Sequence, residues 1–181
     1  VYSDGTSKDL NWKDLEIEGF DNTVKGEQTL TLNYDGATAS KTIKVLAAPD
    51  SDPIHVSFTL LGDTKHGADT EECHTLDGEN LTTWVETGMI EVGANETVYE
   101  VIKSLEEKYG FKIYDRETQY GTYIYAVEYK DVTLSEFDNG QNSGWMDTIN
   151  DVHPGVGVAK QYLNDGDVIV LHYTDDYTKE D

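Results

Sequence analysis

Apolar and polar residues alternate with a period of two along most of this chain, and a single stretch departs to helical spacing. Leu30, Leu32 and Tyr34 fall on one side of an extended segment, and Ile43 and Val45 answer them from the next. Between the two lies Tyr34-Asp35-Gly36-Ala37, and Ser3-Asp4-Gly5-Thr6 repeats the Asp-Gly signal near the start. Both central positions of such a turn want positive φ, so each Asp-Gly predicts a β-hairpin. Residues 1–47 therefore read as an all-β unit, half of a sandwich. Ala47 to Pro53 follows neither period and carries two prolines, which cannot donate to a ladder, so residues 48–53 read as a short, stiff linker.

From Ile54 the pattern changes in kind. His55–Leu61 reads as a strand, Gly62–Gly67 as a loop, and Thr82–Val92 as an extended segment interrupted at Gly88. Val98, Val101, Ile102, Leu105 and Tyr109 then recur at three- and four-residue steps, the stripe of an amphipathic helix. Thr97 and Glu100 make a capping box ahead of it, and Gly110 suits the left-handed stop, which predicts a helix over 97–109. Further strands follow at Phe111–Tyr114, Thr122–Val127, Trp145–Ile149 and Val168–Tyr173, with a turn at Asn164-Asp165-Gly166-Asp167 before the last. Strand, strand, one main helix and then several strands is the β-grasp order, so residues 54–181 are expected to form an α+β domain. The fold class is mixed: an incomplete Ig-like sandwich, then a β-grasp-like domain.

Segments 2–10 and 15–36 resemble the later strands of the bacterial Ig-like domains repeated along Gram-positive surface proteins; the opening strands of such a domain have no counterpart after Val1. Residues 54–181 resemble the transcobalamin C-terminal-like domain of bacterial surface proteins. That resemblance rests on Leu61-Gly62-Asp63, His66-Gly67, Ser143-Gly144-Trp145-Met146, Gly155-Val156-Gly157-Val158, and Leu163 with Asp165-Gly166-Asp167. It implies a secreted or wall-attached bacterial protein and a corrinoid-like ligand, since in transcobalamin and intrinsic factor the similar domain closes over one side of a cobalamin. The ligand contacts of the animal carriers do not map residue by residue onto this chain, which also lacks their helical domain. A lone domain covers one face of such a ligand, so modest affinity is expected.

Composition narrows the function further. Acidic residues outnumber basic ones 36 to 13, a formal charge of −23 that repels nucleic acid and anionic lipid. No apolar run reaches membrane-spanning length. The chain opens at Val1 in mid-pattern, as expected of a piece of a longer polypeptide. Cys73 is the sole cysteine, so there is no internal disulfide and no Cys-x-x-Cys pair.

Three kinds of chemistry bear on what the domain can do. Tyr120, Tyr123, Tyr125, Trp145, Met146 and Tyr162 are the candidate ligand-binding residues: the aromatic ones offer broad apolar faces with polar tips, and alternation puts Tyr123 and Tyr125 on one strand face. The competing reading makes them ordinary half-buried strand residues. His66, Cys73, His74, His153 and His172, with Asp63, Asp175 and Asp176, have ligand chemistry, but their spacing matches no zinc or EF-hand pattern, so structural histidines and no metal are expected. Neither a Gly-x-Ser-x-Gly elbow nor a His-Glu-x-x-His helix occurs, so no enzyme activity and no required cofactor are expected. The partner is expected to be a small molecule or, alternatively, a surface protein or glycan met by a structural or adhesive module.

Overall fold

The computed structural model describes residues 9, 11–48, 51–68, 73–78 and 80–180. Contacts divide the chain into two compact units, residues 1–47 and 48–181.

The first unit holds one antiparallel sheet in the order β1 (Glu16–Glu18), β2 (Gly26–Tyr34), β3 (Ala37–Val45). Asp35 and Gly36 take positive φ of 46° and 78° at the β2–β3 turn, so Asp-Gly acts as its pattern foretold. Register pairs Gln28 with Ile43 and Leu30 with Lys41, which puts Leu30, Leu32, Tyr34, Ile43 and Val45 on one face. Those side chains are only half-buried. Among the described residues no second sheet covers them within the unit, so the half-sandwich is a single layer. The hairpin expected at Ser3–Thr6 lies outside the described residues.

In the second unit β4 (Ile54–Gly62) and β5 (Thr82–Val92) form an antiparallel hairpin, followed by α1 (Val98–Tyr109). Then come β6 (Phe111–Thr118), β7 (Gly121–Tyr129), β8 (Val132–Ser135), β9 (Gly144–Ile149) and β10 (Val168–Thr174). The main sheet runs β5-β4-β10-β9, with first and last strands parallel at its centre, the β-grasp arrangement. A second sheet, β6-β7-β8, stands between α1 and β9 in the chain. The capping box forms as expected: Glu100 N donates to Thr97 Oγ1 at 3.3 Å and Thr97 N to Glu100 Oε2 at 2.8 Å. Val98, Val101, Ile102 and Leu105 are buried in one core with Val56, Phe58, Leu60, Ile169, Leu171 and Tyr173. Each such side chain contributes roughly 1.5–3 kcal/mol of burial, which is what holds the helix on the sheet.

Two local readings change. β5 runs unbroken through Gly88, which sits at φ 61° beside a register shift opposite Ser57–Thr59; the glycine marks a bulge instead of a break. Thr87 Oγ1 accepts from Phe58 N at 3.0 Å there, replacing the lost ladder bond. The short β8 had no sequence signal, because its turn uses Lys130 at φ 53° with no glycine.

The Asn164–Asp167 turn proves to be a brace for β4. Asp165 Oδ1 accepts from His55 N at 2.8 Å and the carbonyl of Asp167 accepts from Ser57 N at 3.0 Å. Asn150, at the end of β9, donates to Asp167 Oδ1 at 2.8 Å and accepts from Val168 N at 2.9 Å. That stretch thus serves the sheet's register.

Candidate functional site

Where β7 and β9 come together, residues 153–158 cross over and border an open-sided cavity of about 520 Å³. Glycines set its shape. A Cβ on Gly157 would stand 2.7 Å from the Thr122 carbonyl oxygen, so only glycine lets this loop lie against β7, where its amide donates to Tyr120 O at 2.9 Å. A Cβ on Gly144 would stand 2.9 Å from the Tyr123 hydroxyl, so that glycine makes room for the ring's polar tip.

Tyr120, Tyr123, Trp145 and Met146 all line the cavity. They contribute differently. Tyr120 is 68% exposed at the mouth, Tyr123 and Met146 are half-buried, and Trp145 is only 3% exposed. The Trp145 ring belongs to the core: its Nε1 donates to Leu134 O at 2.8 Å and it packs against Trp84 and Tyr173. It forms the floor, buried more deeply than the half-buried strand residue of the competing reading.

Tyr125 and Tyr162 lie away from the cavity. The register between β6 and β7 shifts by one residue at Tyr125, whose ring packs near Tyr114 and under Arg116. Arg116 also covers the Tyr123 ring at 5.4 Å and is forked onto Glu136. Tyr162 makes an isolated bridge with Thr97 at the helix start. Burial, with the Glu136 charge, pushes the Tyr123 hydroxyl up to about 12, so it stays protonated. A second hollow of about 360 Å³ shares Tyr123, Trp145 and Met146 and is bordered by exposed Phe137 and Tyr177.

Two ionisable residues line the cavity: Asp147, which the sequence reading passed over, and His153, which it took as a structural histidine. Asp147 lies two residues beyond Trp145 on the same strand face, and its Oδ2 is buried with no hydrogen-bond partner. Burial pushes its carboxyl up to about 6, against the partly opposing influence of Gln161, His172 and His153. His153 also lines the wall and donates from Nδ1 to the Asp147 carbonyl oxygen at 3.0 Å. An acid at an inward position of an alternating strand was the available signal for Asp147.

The histidines are not scattered. Asp63, His66, His74 and Asp175 bring one ligand atom each to within 4.8 Å of one another, and His153, His172 and Glu180 do the same. Cys73 and Asp176 stand outside both groups, and Glu180 had no sequence signal. The expectation of structural histidines came from spacing alone; Asp63 and Asp175 directly follow strands β4 and β10, which are adjacent in space and far apart in sequence. In the second group His172 is fully buried and shares a hydrogen bond with Glu180 Oε2. Burial opposes ionisation of Glu180, but that bond and the His172 charge hold its carboxyl below the usual range.

Comparison with known families adds two matches. Residues 1–46 match the bacterial Ig-like domain (group 3), a module of the kind found in surface proteins. Residues 95–175, from just before α1 to just past β10, match a domain of unknown function, DUF4430. No curated protein matches the chain.

Proposed function

We propose that the second unit, residues 48–181, is a non-enzymatic binding module of a bacterial cell-surface protein, and that it takes a small, largely apolar ligand in the cavity between β7 and β9. A corrinoid, held by one edge, is the favoured ligand. The observation that carries this reading is the cavity itself: an aromatic and glycine-built hollow with two ionisable groups, within the roughly 300–1,000 Å³ usual for small-ligand sites. A ligand amide N–H would supply the partner that Asp147 Oδ2 lacks. The bacterial Ig-like match supports a surface setting.

Binding is favoured over catalysis by how the polar side chains of the wall are used. The Thr118 hydroxyl donates to Gly121 O at 2.8 Å and the Thr122 hydroxyl to Glu117 Oε1 at 2.6 Å, so neither is poised as a nucleophile. His153 bonds the backbone of Asp147 through Nδ1, with no bond to its carboxylate. The test is to mix the protein with cyanocobalamin at high micromolar concentration and follow visible absorbance through gel filtration. Colour travelling with the protein peak is expected; a colourless peak overturns the corrinoid reading. The alternative is an adhesive contact with a protein or glycan, favoured by exposed Phe137 and Tyr177 beside the second hollow.

A further inference from the structure

We propose that Asp63, His66, His74 and Asp175 form a binding site for one divalent transition-metal ion, zinc by its donor set, that fastens the loop after β4 to the end of β10. Asp63 Oδ2 lies 2.8 Å from His74 Nδ1 and 3.2 Å from His66 Nε2, and His66 Nε2 lies 3.4 Å from Asp175 Oδ1. Ligands about 2.0–2.1 Å from a tetrahedral zinc ion stand roughly 3.3–3.4 Å apart, so two of these separations are close to those of a metal site. All four atoms lie within 4.8 Å of one another, and the Asn139 amide, 2.9 Å from His66 Nε2 and 3.2 Å from Asp63 Oδ2, gives way as they close on an ion. Two imidazoles among the donors favour a transition metal over calcium, which takes oxygen ligands.

Three of the four side chains are already aimed. Asp63 Oδ1 accepts from Thr64 N at 2.6 Å, Asp175 Oδ2 accepts from His74 N at 2.8 Å, and His66 Nδ1 donates to Gly67 O at 2.8 Å. In each case the backbone holds one polar atom and turns the other inward, as outer partners do around a metal. Asp175 Oδ1 is buried with no hydrogen-bond partner, and its side chain is 7% exposed. It faces His66 Nε2, which has its proton on the opposite nitrogen when neutral, so two acceptor atoms confront each other. Protonating Nε2 is a poor remedy, because the Asn139 amide donor already stands 2.9 Å from it. Asn139 Nδ2 also donates to Thr64 O at 2.9 Å, which fixes its orientation. A cation between the carboxylates and imidazoles resolves the conflict.

All four ligands come from the protein and all are buried or nearly so, which makes the site a closed, structural one. Residues 63–81 connect β4 to β5 without helix or strand among the described residues, a length at which a loop needs its own anchor. This proposal is independent of the cavity reading.

The test uses the full chain, stripped with a chelator, dialysed against micromolar zinc chloride and assayed for metal by elemental analysis. About one zinc per chain is expected, with a raised melting temperature and, on cobalt substitution, the intense visible bands of a tetrahedral ion. Asp175→Asn and His66→Gln are each expected to weaken zinc binding by at least about a hundredfold, while Glu180→Gln leaves it unchanged. Retention well below one equivalent by the unaltered chain overturns the proposal. So does equal retention by Asp175→Asn and His66→Gln, or loss confined to Glu180→Gln, which would assign the metal to the other cluster.

Discussion

Asp147 at the cavity and Asp175 beyond the end of β10 each bury a carboxylate oxygen that has no hydrogen-bond partner, and their surroundings are opposite in kind. Around Asp147 stand Trp145, Met146, Ile124 and Leu171, an apolar wall in which Gln161, His172 and His153 only partly offset the cost of a charge. Asp175 confronts two imidazoles and a second carboxylate, a wall made almost entirely of ligands. An isolated acid among apolar groups lowers its cost by keeping its proton, which is why burial pushes Asp147 up to about 6. An acid among metal-ligating side chains has a cheaper remedy, a shared cation. The same defect therefore points to a neutral, hydrogen-bonding guest in one region and a metal ion in the other.

The largest expected effect tests whether the cavity floor is part of the core. Trp145→Ala is expected to cost about 3–5 kcal/mol in urea unfolding, because it deletes a buried ring that Trp84 and Tyr173 pack against. A cost below about 1 kcal/mol would mean the ring is a surface feature and the region has no rigid floor.

Asp147→Asn comes next and has the opposite sign. The folded carboxyl titrates near 6 and the unfolded one near 4, so the folded state binds more protons between those values. The stabilising contribution of the protonated acid is complete below about pH 4 and is lost as pH rises through 6. The variant lacks that loss and is expected to be more stable than the parent by about 2 kcal/mol at pH 7.5, with equal slopes above pH 7. Parallel stability curves from pH 4 to 7 would show that Asp147 is ionised throughout, erasing the contrast with Asp175.

Thr97→Ala, which is neither a metal ligand nor part of the cavity lining, sharpens the comparison as a control. Losing the cap is expected to cost about 1 kcal/mol in the same unfolding experiment while leaving zinc retention unchanged. Tyr120→Ala is the smallest for stability, within about 0.5 kcal/mol, because the ring is exposed at the cavity mouth. Its effect should appear instead as weaker retention of ligand, read by the same gel filtration; unaltered retention would remove Tyr120 from the site.

The regular elements were legible because their signals are local. Thr97, Glu100 and Gly110 delimit the helix from within a few residues of sequence, and the alternation of Trp145–Ile149 and the apolar run Val168–Tyr173 announce β9 and β10. What alternation cannot say is which face points inward. Trp145 and Asp147 share a face, and sequence reasoning left the burial of the tryptophan open and passed over the acid. His172, set inside the β10 run, was a comparable hint of a buried polar group. The Asp63–His66–His74–Asp175 cluster was out of reach for a different reason: it exists only because β4 and β10 lie side by side, which brings residue 63 to residue 175. Spacing rules describe ligands on one hairpin or helix and say nothing of such pairings.

Gly155 offers the most direct test of the cavity as a ligand site, because it lies in the wall and a Cβ added there meets open space. Cobalamin retention by the parent chain and by Gly155→Trp should be measured side by side at matched concentrations. The cavity reading predicts colour bound by the parent and an affinity at least about tenfold lower in the variant, with thermal stability unchanged. Equal affinities in the two proteins would contradict it.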